Sequence, residues 1–135
     1  MITLVIDSFA LLAYYRDEAG ADEVLQLLHD AVDGKAELYA TTYNLGEVYY
    51  MSWRKYNRET ADRIWRELMQ LPLVIVEPDI QMTFEAATLK ATHKLSYADA
   101  HAAALALHLK ASLVTGDKEF DDLKKIKGFK VKYIV

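Results

Sequence analysis

The 135 residues fit one domain, 1–135, with one core, and an apolar share of 53% excludes a disordered chain. The absence of cysteine excludes disulfides and thiolate metal sites, and no apolar run approaches the ~18 residues of a membrane span. A net charge of −4 argues against indiscriminate coating of nucleic acid, which Lys and Arg drive; residues 1–52 carry two basic and nine acidic side chains, the rest fourteen and eleven.

The chain opens on Ile2–Ile6 (ITLVI), an apolar run that predicts a strand. The stretch has neither a basic start nor a small-residue cleavage site, so no signal peptide is expected and a cytoplasmic location is. Helical spacing follows over Ser8–Asp17 and Ala21–Val32, where Val24, Leu25, Leu27, Leu28 and Val32 share a face and Gly34 ends the element. Glu37–Ala40 predicts a second strand, followed by helices over Tyr43–Lys55 and Glu59–Gln70. Leu73–Val76, between Pro72 and Pro78, predicts a third strand. Helices over Ile80–Thr92 and Ser96–Leu109 come next, with Ser96 suited to an N-cap. A fourth strand at Ser112–Thr115, a short helical turn near Lys118–Lys124 and a fifth strand at Val131–Val135 complete the chain. The near-continuous apolar runs predict strands covered on both faces. The alternation predicts an α/β sandwich on a mostly parallel sheet.

In such a sheet, functional groups gather beyond the carboxyl ends of the strands. Asp7 directly follows the first strand, and Asp117 follows the fourth in Val114-Thr-Gly-Asp117. Two more acids stand in helices of otherwise apolar or small residues. Glu47 lies in Tyr43-Asn-Leu-Gly-Glu-Val-Tyr-Tyr50, and Asp99 in Leu95-Ser-Tyr-Ala-Asp-Ala-His-Ala-Ala-Ala-Leu105. Each acid has an ordinary structural reading: Asp7 and Asp117 as caps or turn residues, Asp99 as the capping-box partner of Ser96, Glu47 as a solvated helix residue. Taken together they predict one acidic pocket. Four close carboxylates repel, and a hard divalent cation removes that conflict while leaving room for phosphate oxygens. The chemistry suggested is phosphodiester hydrolysis.

VIDSFALLAYY, NLGEVYY, LSYADAHAAALAL and LVTGDKEFDDL, in this order and spacing, resemble the PIN-domain nucleases, and among them the VapC-type toxins of prokaryotic toxin–antitoxin pairs. The resemblance runs over nearly the whole chain. It implies a three-layer α/β/α sandwich on a five-stranded parallel sheet and an endoribonuclease dependent on Mg²⁺ or Mn²⁺. Asp7, Glu47, Asp99 and Asp117 match the family's acidic quartet; Asp7 and Asp99 are the expected direct ligands, with Glu47 and Asp117 completing the shell. Thr115 and Ser8 are expected to support them. A homodimer, an RNA substrate and a VapB-type antitoxin are implied as well. The family often has Asn or Ser two places after the first acid; this chain has Phe9, so a polar contact is expected to be missing. Asp121 and Asp122 stand where an extra acid sometimes occurs.

Other features have two readings. Trp53-Arg-Lys-Tyr-Asn-Arg58 with Arg63, Trp65 and Arg66 fits either a single-stranded RNA surface or an amphipathic hairpin with aromatics inward. Tyr43, Tyr49, Tyr50 and Met51 fit core packing or a protein interface. The alternating lysines of Lys124–Lys132 fit edge-strand protection better than RNA attraction. His29, His93, His101 and His108 show no ligand spacing, and His101 is expected on a different side of its helix from Asp99. A housekeeping RNA-processing nuclease remains open beside the toxin. A receiver-like signalling module with an Mg²⁺ pocket is a third reading; it needs an acidic pair where this chain has Asp7-Ser8, and an acceptor after the third strand, where Asp79 follows Pro78.

Overall fold

The computed structural model describes residues 1–135. Five strands, β1 (Ile2–Ile6), β2 (Ala36–Thr41), β3 (Val74–Val76), β4 (Ser112–Thr115) and β5 (Lys130–Tyr133), form one sheet in the order β3-β2-β1-β4-β5, all parallel. Six α-helices connect them: α1 (Ser8–Arg16), α2 (Ala21–Val32), α3 (Thr42–Lys55), α4 (Arg58–Leu68), α5 (Ile80–Thr92) and α6 (Tyr97–Leu109). A 3-10 helix at Lys118–Lys125 links β4 to β5.

The period of two along β1 builds two cores. Leu4 and Ile6 face one layer with Leu11, Val24, Leu28, Leu45, Ile64 and Leu68, from α1 to α4. Val5 faces the other with Ala100, Ala103, Leu105 and Phe120, from α6 and the 3-10 helix, and with Met82 and Ala86 of α5. Both faces of the central strands are therefore apolar, as a parallel sheet between helix layers requires. Ala100, Ala102, Ala103, Ala104 and Ala106 of α6 are all buried, and their small side chains bring its backbone close to β1, β2 and β4.

Helix starts follow local chemistry. Asp7, Thr41, Asn57, Asp79 and Ser96 cap α1, α3, α4, α5 and α6, each side-chain oxygen accepting an N–H three residues on. Gly20, at φ 96, is the exception: it starts α2 without a side-chain bond, and a Cβ there would stand 2.7 Å from Ile134.

Two expectations about strands change. β3 is an edge, not a strand covered on both sides: Val74 and Ile75 are exposed, because only β2 flanks it. The fifth strand ends at Tyr133 rather than Val135, and Lys130 and Lys132 point outward on the opposite edge. That placement matches edge protection.

The strand order also removes the receiver reading. A receiver sheet runs 2-1-3-4-5. Here β3 lies at the rim, so Asp79 is remote from the ends of β1 and β4.

Candidate active site

The order of connections reverses between β1 and β4, which are neighbours with Ile6 opposite Val114. A crevice opens beyond the strand ends at such a reversal. The Asp7 N–H donates to the Val114 carbonyl at 3.2 Å, carrying the β1–β4 pairing to its last residue. Asp7 Oδ1 caps α1 by accepting from the Ala10 N–H at 2.9 Å. Its Oδ2 is buried and has no hydrogen-bond partner. Burial is the main force raising this carboxyl to about 8; the Thr115 hydroxyl and the Ala10 N–H oppose it, and Asp99 and Asp117 add repulsion.

Beyond β4, Thr115 Oγ1 accepts the Asp117 N–H at 3.0 Å, and Asp117 Oδ1 accepts the Glu119 N–H at 2.9 Å. These two short loops turn the chain into the 3-10 helix and fix Asp117 at its start. Opposite, Ser96 holds the first turn of α6 by accepting the Asp99 N–H at 3.1 Å. One carboxylate oxygen from each of Asp99, Asp117 and Glu119 lies within 4.8 Å of the other two. Burial raises the Asp99 carboxyl to about 6, Glu47 adds repulsion and the Ser96 hydroxyl opposes it; Asp117 and Glu119 contribute less. Asp7 and Glu47 are outside that triplet, yet both are near enough to act on its members by charge. Glu47 accepts the Tyr50 hydroxyl at 3.2 Å.

Of the four acids expected from the sequence, Asp99 and Asp117 meet in the triplet with Glu119, while Asp7 and Glu47 are coupled to it by charge. Helical periodicity does not find Glu119, because the 3-10 winding after Asp117 decides its direction. Asp121 and Asp122 turn elsewhere: Asp121 accepts from the Tyr133 hydroxyl and pairs with Lys124, and Asp122 pairs with Lys125.

Ser8 does not reach the carboxylates directly. Its hydroxyl donates to the Asn44 carbonyl at 3.2 Å and accepts from Asn44 Nδ2 at 2.9 Å. Asn44 Nδ2 also donates to the Ala98 carbonyl at 3.3 Å, and its Oδ1 accepts from Thr41. This fully buried amide ties together α1, β2, α3 and α6, the elements that carry Asp7, Glu47 and Asp99. Sequence reasoning passes over it; the only signal is an amide three places after the cap Thr41.

Phe9 has a steric partner instead of a polar one. Its ring lies over Gly116, where a Cβ would stand 2.2 Å from Phe9 Cε1. Any side chain between Thr115 and Asp117 would therefore have to displace the Phe9 ring. In the α3–α4 hairpin, Tyr49 meets Trp53 and Trp65 edge-on, and Arg58 lies over Trp53 at 5.2 Å. Its rings are only half inward, with Trp53 and Trp65 partly exposed.

The donor set is carboxylate oxygen throughout. A buried Asp7 oxygen without a partner, beside a triplet of converging acids, is a donor arrangement that suits a hard divalent cation. The residues fit such an ion.

Comparison with known proteins agrees. The sequence matches the PIN domain family over residues 4–126. No curated protein sequence matches. Among solved structures, the fold is similar to VapBC2 from Rickettsia felis bound to a DNA fragment of its promoter, with a TM-score of 0.73 and 16% identity over 98% of each chain. It is also similar to VapC20 of Mycobacterium tuberculosis, a sarcin-ricin loop cleaving toxin, with a TM-score of 0.71 and 13% identity over 90% of this chain and 95% of that one. PAE2754 from Pyrobaculum aerophilum shares 22% identity at a TM-score of 0.66, over 96% of this chain and 89% of its own. At these identities the likeness is one of fold. No helix is long and apolar enough to cross a membrane. With the family match spanning both strand-end acids and both helical ones, the chain belongs to the PIN domain family.

Proposed function

We propose that this chain is a metal-dependent endoribonuclease that hydrolyses RNA phosphodiester bonds. In this reading it is the toxin of a type II toxin–antitoxin pair, a cytoplasmic homodimer restrained by a VapB-type antitoxin. The observation that carries the nuclease reading is the convergence of Asp99, Asp117 and Glu119 beside the buried, partnerless Asp7 Oδ2. The toxin assignment is supported by family membership together with the similar folds of VapBC proteins.

Asp7 and Asp99 would hold the cation directly, with Asp117, Glu47 and Glu119 completing or orienting the shell. When bound, Mg²⁺ or Mn²⁺ supplies Lewis acidity, offsetting charge on the phosphate oxygens and making water easier to deprotonate. Asp7 must ionise to serve as a ligand, so its buried carboxyl gives up a proton on loading. Asp99 does the same from a less raised starting point. Thr115 holds the Asp117 backbone in place, and Ser8 acts through Asn44 on the packing of α1 against α3.

The test is incubation of labelled RNA with the purified protein in Mg²⁺, in Mn²⁺ and in EDTA, alongside Asp7→Asn and Asp99→Asn. Cleavage is expected only with metal and only in the unmutated protein. Equal cleavage in EDTA removes the mechanism, and full activity in both variants removes the site. Induced expression in growing bacteria separates toxin from housekeeping nuclease: arrest by the unmutated chain but not by Asp7→Asn is expected of the toxin.

A further inference from the structure

Helix α3 carries more than Glu47 toward the crevice. Tyr43, Gly46, Glu47, Tyr50 and Arg54 recur at helical spacing and share one face. Thr42, Tyr43, Gly46, Glu47 and Tyr50 line a shallow cleft of about 360 Å³, and Glu47 is also near enough to Asp99 to act on it by charge. Tyr43 and Tyr50 are both more than 40% exposed, although each is a large ring.

The Tyr43 ring is held from behind. It stacks on His101 with centroids 3.9 Å apart and planes 6° from parallel, and Tyr97 meets both rings edge-on. His101 is 1% exposed, and its Nε2 has no hydrogen-bond partner. The buried imidazole packs between Tyr43 and Tyr97 and so backs the Tyr43 ring. On the other side of the cleft, Tyr50 is fixed at both ends: its hydroxyl donates to Glu47, and the Arg54 guanidinium lies over its ring at 5.0 Å. Between them Gly46 contributes no side chain, and a Cβ there would meet nothing within 4 Å. Packing does not demand glycine at this position. It costs the helix roughly 1 kcal/mol relative to alanine. The open space is what it provides.

Two braced aromatic rings, a gap between them and a cation beside one ring form the arrangement on which unpaired bases stack. We propose that the Tyr43–Gly46–Tyr50 cleft is a nucleobase subsite, which stacks the base of one nucleotide next to the cleaved phosphate of single-stranded RNA. Arg54 offers its charge to a neighbouring phosphate. This proposal rests on the nuclease reading. It adds which side chains of this chain would meet the base beside the cleaved phosphate.

The experiment uses an oligoribonucleotide that the unmutated protein cleaves, and a set of copies with one abasic nucleotide at each position around the cleaved bond. One abasic position is expected to raise KM about tenfold, in the range of a lost base–aromatic stack. Tyr43→Leu is expected to raise KM for the intact oligonucleotide by a similar factor, and the abasic substitution to cost nothing more in that variant. Tyr43→Phe and Tyr43→Trp should restore the abasic penalty, which a merely structural tyrosine would not do. Gly46→Met should fold normally and still raise KM by filling the gap. An abasic penalty that persists undiminished in Tyr43→Leu overturns the subsite while leaving the nuclease intact. An unchanged KM in Tyr43→Leu does the same. Absence of cleavage of any RNA by the unmutated protein with metal defeats the nuclease reading and the subsite with it.

Discussion

The backbone N–H of Asp7 donates to the carbonyl of Val114 at 3.2 Å, joining the residue that follows β1 to the C-terminal half of β4. Because of that bond, two acids 110 positions apart in the chain, Asp7 and Asp117, emerge on one rim. The price in the cation-free protein is a carboxyl buried without a counter-charge, and this sets the first prediction.

Stability of the cation-free protein should fall as pH rises from about 4 to about 8. The Asp7 carboxyl has an ordinary value of 3.8 and a folded value of about 8. Between these pH values the folded state keeps a proton that the unfolded state has released, so folding is favoured on the acid side and weakened toward the alkaline side. Asp99, raised to about 6, adds to the slope in the lower part of the window. Asp7→Asn keeps an oxygen to cap α1 and removes the titration. It should flatten the profile and gain a few kcal/mol at pH 8. Urea unfolding in EDTA at several pH values measures both. A wild-type profile no steeper than that of Asp7→Asn would refute the assignment.

Divalent cation should restore what ionisation costs. Mn²⁺ or Mg²⁺ at a hundredfold excess over its dissociation constant is expected to stabilise by about 2.7 kcal/mol. The gain should be larger at pH 7.5 than at pH 5, because loading must displace protons from Asp7 and Asp99. Thermal shifts with and without metal test this. Asp99→Asn, which removes a ligand but leaves the Ser96 cap bond to the backbone, should lose most of the shift.

How much of this can be read from the chain alone depends on the range of the interactions. Strand-end acids are legible because Asp7 and Asp117 follow short apolar runs, and a parallel sheet gathers such ends at one edge. Asp99 is legible in part, through its Ala-rich helix behind Ser96. The edge position of β3 is not, since Val74–Val76 is apolar like a central strand and only the strand order shows that a single neighbour covers it. Glu119 escapes because a 3-10 turn, not an α-helix, follows Asp117. Asn44 escapes because its partners Ser8 and Ala98 lie 36 and 54 residues away.

Asn44→Ala should be among the most damaging single substitutions outside the carboxylates. It would take one side-chain partner each from the Ser8 hydroxyl, the Thr41 hydroxyl and the Ala98 carbonyl, leaving Ser8 and Thr41 only their bonds to the backbone of residue 44. A loss of about 2–4 kcal/mol is expected. Activity should fall further than stability alone explains, because α1, α3 and α6 carry Asp7, Glu47 and Asp99. Denaturation combined with turnover under conditions where the variant is folded separates the two effects.

Gly116→Ala should be rescued by shrinking its neighbour. The new methyl would collide with the Phe9 ring at 2.2 Å, so either the ring swings out or the Thr115–Asp117 turn shifts. Overpacking of this kind costs about 1–3 kcal/mol. In Gly116→Ala with Phe9→Ala, the collision is gone and the double variant should be more stable than the sum of the two single losses predicts. Strict additivity in the cycle would show that the two side chains do not meet.

Glu119 and Asp121 stand two residues apart in the same short helix and should behave oppositely. Glu119 contributes an oxygen to the triplet with Asp99 and Asp117, so Glu119→Gln should weaken the metal-induced thermal shift and reduce cleavage roughly tenfold. Asp121 is engaged by Tyr133 and Lys124 on the far side. Asp121→Asn should leave the metal shift unchanged and cost under about 1 kcal/mol, as exposed ion pairs do. Calorimetric titration of both variants with Mn²⁺ makes the comparison. Equal metal affinity in Glu119→Gln and the unmutated protein would remove Glu119 from the shell, and weaker affinity in Asp121→Asn would show that the 3-10 helix turns its other face to the cation.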